Sequence, residues 1–137
     1  MASNPTASIG KILFKDYFSV LLLLACVISI VISRVYGISI FLLILWLPLL
    51  IRRVGLIKKT IETGEITQGI LASKHFFRGE WTIWYVFMVG DQVYKVRNFV
   101  IAFKLPFREK DWVSVAYDRQ KPQRAFLPVL YAARKPS

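Results

Sequence analysis

The sequence is poor in the residues from which reactive sites are built. Its 137 residues include one cysteine and one histidine, and eight Asp and Glu stand against nineteen Lys and Arg. Cys26 lies within an apolar run, so no internal disulfide can form, a pattern compatible with a reducing compartment. Neither a Cys/His pair nor a His-containing triad can be assembled from exposed residues, and no two His or Cys stand at metal-ligand spacing. A phosphate-binding glycine loop is also missing. The carboxylates Glu62, Glu65, Glu80, Asp91, Glu109, Asp111 and Asp118 are scattered among cations and turns, where they read as solvated surface and turn caps. His75, beside Phe76 and Phe77, reads as a strand or rim residue, although it is the one side chain suited to sensing pH near neutrality. No catalytic residue, metal ligand or cofactor-binding residue is assigned, and the chain reads as non-enzymatic.

What the chain has in excess is apolar surface and positive charge. It is 55% hydrophobic yet carries a formal net charge of +11, so the two properties must be separated along the sequence. Tyr17 to Ser33 and Val35 to Ile51 are charge-free runs divided only by Arg34. At 1.5 Å per residue each reaches ~25 Å, short of a ~30 Å hydrocarbon layer unless flanking residues such as Ile12, Leu13 and Phe14 contribute. A single helix through both runs would bury Arg34 at its midpoint, whereas a turn at Ser33 to Gly37 avoids that cost. The expectation is therefore a two-helix transmembrane hairpin, residues 17–33 and 35–51. Pro48 bends or ends its second helix, and Trp46 suits either the interface or packing against a neighbouring protein. Lys11 and Lys15 before the hairpin, and Arg52, Arg53, Lys58 and Lys59 after it, place both termini in the cytoplasm by the positive-inside bias.

Beyond the hairpin the periodicity changes. Residues 52–64 mix Val54, Leu56, Ile57 and Ile61 with four cations, as in a basic helix lying along a membrane surface, ended by Gly64. From residue 65 to 131 the period is two: Thr67 to Phe77, Trp81 to Val89, Gln92 to Ile101, Trp112 to Asp118 and Ala125 to Tyr131 read as strands. Arg78-Gly79-Glu80 and Gly90-Asp91 make tight hairpin connections, and Pro128 marks the last strand as an edge. Five short antiparallel strands without an intervening helix imply a small barrel-like domain of the OB or SH3 kind. Residues 1–16 and 132–137 are left as terminal segments. The second strand is apolar on both faces, so Trp81, Trp84, Val86 and Met88 form a candidate partner surface.

The layout Gly64-Glu65-Ile66-Thr67-Gln68-Gly69-Ile70, then Trp84-Tyr85-Val86-Phe87, then Val113-Ser114-Val115-Ala116-Tyr117-Asp118 leading to Pro122 and Ala125 resembles the family called domain of unknown function 3592. The resemblance covers about residues 60 to 131. Lys110-Asp111-Trp112 replaces the glycine that the family usually carries before its V-x-V strand. The resemblance implies a membrane-anchored bacterial protein with a small β domain and adds no activity.

Three functions suit these features. The first is an accessory subunit of a larger membrane complex, partnered by other integral membrane proteins, with the basic β domain as a cytoplasmic cap. A second is a module that binds anionic lipid through Lys11, Lys15, Arg52, Arg53, Lys58 and Lys59, each worth ~1 kcal/mol near an anionic leaflet. Single-stranded nucleic-acid binding by interleaved cations and aromatics comes third and is not favoured, because a small barrel needs its aromatics for its own core. Ala25, Ser29 and Ser33, at i, i+4 and i+8, form a small-residue stripe that permits helix packing and homo-oligomerisation.

Overall fold

The computed structural model describes residues 4–37 and 41–132; residues 38–40 of the expected second span and 133–137 of the C-terminal tail lie outside them. The elements run α1 (Ile9–Lys15), α2 (Tyr17–Ser33), α3 (Phe41–Thr63), β1 (Glu65–Phe77), β2 (Glu80–Val89), β3 (Gln92–Val100), β4 (Trp112–Asp118), β5 (Lys121–Phe126) and α4 (Pro128–Tyr131). The strands form one antiparallel sheet in the order β3-β2-β1-β4-β5, rolled into a nearly closed barrel.

Strand β1 is the spine. Its first half pairs with β4 from Glu65 opposite Tyr117 to Ile70 opposite Trp112, and its second half continues along β2 past an irregularity between Leu71 and Ser73. Such a bulge adds twist and lets one strand serve both halves of a barrel. Arg78 and Gly79 both take positive φ, which gives the β1–β2 hairpin the sense of turn that matches strand twist. Inward positions alternate along β2, where Ile83, Tyr85 and Phe87 are buried. The core also takes in Ile12 of α1 and Ile57 and Ile61 of α3, none of which is exposed at all. The helices therefore plug the barrel rather than hang from it.

Among the described residues no helix is long and apolar enough to cross a membrane, so the expected transmembrane hairpin, and with it the two-span localisation with cytoplasmic termini, is corrected. The reasons are local. Asp16 takes an extended conformation (φ −76°, ψ 118°) that separates α1 from α2, so Ile12, Leu13 and Phe14 do not lengthen the first run. Ile12 goes into the barrel core instead, and α2 stays at 17 residues, ~25 Å. Helix α3 has 23 residues, but its apolar part ends at Ile51, before Arg52 and Arg53. Phe41 to Ile51 spans only ~16 Å at the rise of an α-helix.

Two further expectations change. The basic segment 52–64 is the second half of the continuous α3, which runs through Pro48, and its Ile57 and Ile61 face the barrel, not a membrane surface. The last strand ends at Phe126, and Pro128 opens α4, where its missing N–H is no loss.

Candidate functional site

The break at Asp16 organises the junction between helices and barrel. The Lys15 carbonyl accepts from the backbone N–H of Ile101 at 2.7 Å, which ties the break to the end of β3. The freed Asp16 carboxylate caps α2, accepting from the backbone N–H and hydroxyl of Ser19, both at 2.9 Å. Arg53 completes the knot, donating from Nε to Oδ2 at 3.1 Å and from Nη2 to Oδ1 at 2.9 Å. The Asp16 side chain is 3% exposed and that of Arg53 31%, so this is a bidentate and largely desolvated pair. The Arg53 guanidinium also lies 5.3 Å from the ring centre of Phe18 and 5.6 Å from that of Phe126.

Next to this knot the barrel remains open. Strands β3 and β5 approach without a backbone ladder, and the seam is bridged by side chains. Asn98 Nδ2 donates to the Tyr85 hydroxyl at 3.0 Å and to the Ala125 carbonyl at 3.3 Å, and Tyr85 donates to the same carbonyl at 2.6 Å. Burial pushes the Tyr85 phenol well above its usual range, and burial followed by the Asp16 carboxylate does the same to Tyr131. The Tyr131 hydroxyl has no hydrogen-bond partner among the described residues. Outside the seam lies a cleft of about 530 Å³, walled by Phe18 and Leu56 of the helices, Trp84 and Phe99 of the sheet, and the cations Arg53, Lys95, Arg97 and Arg124. Lys95 and Arg97 each lie 5.0 Å from the Trp84 ring centre, and Arg97 is 4.8 Å from that of Phe99.

A second feature is the outer flank of α2 and α3. The two helices pack together, and the residues buried on α2 are small: Ser19, Cys26 and Ser29. The hydroxyl of Ser29 donates to the Ala25 carbonyl and that of Ser33 to the Ile30 carbonyl, so two members of the expected stripe bond within their own helix. On this flank large apolar side chains point outward. Leu24, Ile28, Val31, Ile44, Leu45 and Ile51 are all more than half exposed. Cations bracket this flank, with exposed Arg34 at one end and exposed Arg52 and Lys59 at the other.

The remaining sequence candidates are scattered. Lys11 donates to the Ala132 carbonyl at 2.6 Å, and Lys15 is half-buried, its ammonium held below the usual range by desolvation and then by Lys11. Lys58 is half-buried, so Arg52 and Lys59 are the members of the expected collar that face outward fully. Trp81 is pinned by its indole N–H to the Ala102 carbonyl at 2.9 Å and packs on Phe76. Trp84 belongs to the seam cleft, Val86 is half-buried, and Met88 alone of the four is exposed. His75 is exposed on β1, and among the described residues no cluster of His, Cys, Asp or Glu is placed to hold a metal ion.

The cleft escaped the sequence reading as a site. Lys95, Arg97, Trp84 and Phe99 stand close together in the sequence, but Arg53, Phe18 and Arg124 join them only through the fold. No family model, curated protein or solved structure matches this chain.

Proposed function

We propose that this protein is a non-catalytic lipid-surface module that seats the outer flank of its helix pair among the headgroups and upper acyl chains of one anionic leaflet. The observation that carries the reading is the apolar flank bracketed by cations. In water, side chains such as Leu24, Ile28, Ile44 and Leu45 leave a broad hydrocarbon surface wet, at roughly 25 cal/mol per Å² that burial would recover. Arg34 at one end and Arg52 and Lys59 at the other favour a pair lying in the interface plane, because both charged ends then stay at headgroup depth.

Flotation with lipid vesicles tests this. The full chain floats with phosphatidylcholine vesicles containing phosphatidylglycerol, and Arg52→Glu with Lys59→Glu weakens the association, as does raised salt. Failure to float, or flotation indifferent to both charge changes, overturns the reading. Val35→Cys, in a Cys26→Ser background, reports depth: modification by an impermeant maleimide trapped inside the vesicles overturns one-sided seating. Isolation from native membranes in a fixed ratio with other polypeptides, with no affinity for vesicles, would instead support an accessory role against protein.

A further inference from the structure

We infer that the open seam between β3 and β5 is a binding site for a terminal phosphate group carrying close to two negative charges, presented as the phosphomonoester headgroup of a lipid or as free phosphate. The inference rests on the lipid-surface reading for the source of its ligand, not for the ligand's chemistry.

Charge complementarity carries it. Among the described residues the cleft is lined by Arg53, Lys95, Arg97 and Arg124 and by no carboxylate. Two of these cations are answered from outside the lining, Arg53 by Asp16 at 2.9 Å and Arg124 by Asp118 at 3.8 Å. Lys95 and Arg97 have no carboxylate within ion-pair distance among the described residues. The surplus is thus two positive charges, which a phosphomonoester at about −1.5 to −2 balances and a singly charged phosphodiester does not. Lys95 and Arg97 sit at alternate positions of β3, on the same side of the strand, paired with Val86 and Trp84. Their approach to Trp84 and Phe99 holds both side chains near the cleft mouth, so little ordering remains to be done when an anion arrives.

The same contacts disfavour the alternative ligand. Trp84 and Phe99 are already engaged by the cations, so they are poor platforms for stacking a nucleobase. The cleft also lies at the base of the helix pair, with Phe18 and Leu56 as one wall. A pair resting in the interface brings this wall to headgroup level, where an apolar side can follow the glycerol end of a lipid while the cations hold its phosphate.

The test compares vesicles of equal surface charge, phosphatidic acid as the phosphomonoester and phosphatidylglycerol as the diester. The full chain binds phosphatidic acid vesicles about tenfold more tightly, the effect of one or two charge-assisted hydrogen bonds. Lys95→Gln and Arg97→Gln each remove that preference, so that each variant binds the two kinds of vesicle equally, while both bindings fall together by the small amount that one surface cation contributes. Equal affinity of the unaltered chain for the two vesicles overturns the site and leaves the lipid-surface function standing. If the chain floats with neither, that function fails, and tryptophan emission titrated with inorganic phosphate decides the site alone. A saturable change, lost in Trp84→Phe and Arg97→Gln, upholds a soluble phosphate site; no change overturns it. Tight, salt-sensitive binding of an oligothymidylate that is lost in the same variants overturns the phosphomonoester assignment. Thermal melts of both Gln variants guard against misfolding, and because Lys95 and Arg97 are exposed they should match the parent.

Discussion

At the scale of the residue, Asp16 and Arg53 decide more than any others. Asp16 ends one helix, caps the next and fixes the cation that lies between Phe18 and Phe126. A buried carboxylate that loses its partner keeps its desolvation cost, so Arg53→Gln should lower stability by about 3–5 kcal/mol. Urea denaturation of the two chains under identical conditions measures this, and a loss under 1 kcal/mol would mean that water replaces the guanidinium at no cost. None of this could be read from the sequence. The sequence gives Asp16 no mark of its own and presents Arg53 as one of a basic cluster, because their pairing spans 37 positions.

At the scale of the element, the strands were the legible part. The β-branched and aromatic run from Trp81 to Val89 and the turn residues Arg78, Gly79 and Gly90 report local geometry, and β2 and the hairpins around it follow from them. Helices were harder. A charge-free run reports hydrophobicity but not where a helix breaks, and the extended Asp16 removes three residues from the run that needed them. The short segment Pro128 to Tyr131 is apolar enough for either state, and only its packing on the barrel makes it α4. Gly69 shows how tightly β1 is held between its neighbours: a Cβ there would lie 2.9 Å from both Val115 Cγ2 and the Val86 carbonyl oxygen. Gly69→Ala should therefore destabilise by about 1–3 kcal/mol through overpacking. A melting curve unchanged from the parent would show that β4 can move aside. Tyr117, opposite Glu65 at the other end of the β1–β4 ladder, donates to that carboxylate at 2.6 Å, and this bond above all keeps its phenol protonated past its usual range.

At the scale of the whole molecule, the helices and the barrel share one core. Ile12, Ile57 and Ile61 fill the space that a free barrel would leave to water, so residues 65–132 alone should not fold. A dispersed amide spectrum from that fragment would contradict this, and collapse of the spectrum on removing residues 1–16 from the full chain would agree with it. The sequence suggested an anchor and a separate head because hydrophobic run and β pattern adjoin without overlapping. What joins them is a few isoleucines whose partners lie far along the chain, and the seam cleft exists only because of that joint.

The first and last described segments also meet: Ala7 bridges Ala132, and the Ser8 amide donates to the Tyr131 carbonyl at 2.9 Å. Ile12 cannot reach its final surroundings until Leu130 and Tyr131 have left the ribosome. At about 5–20 residues per second, the apolar helix pair emerges and then waits several seconds for the remainder of the chain. During that interval Ile12, Ile57 and Ile61 have no barrel to enter, so the half-made chain shows water more apolar surface than the folded one does.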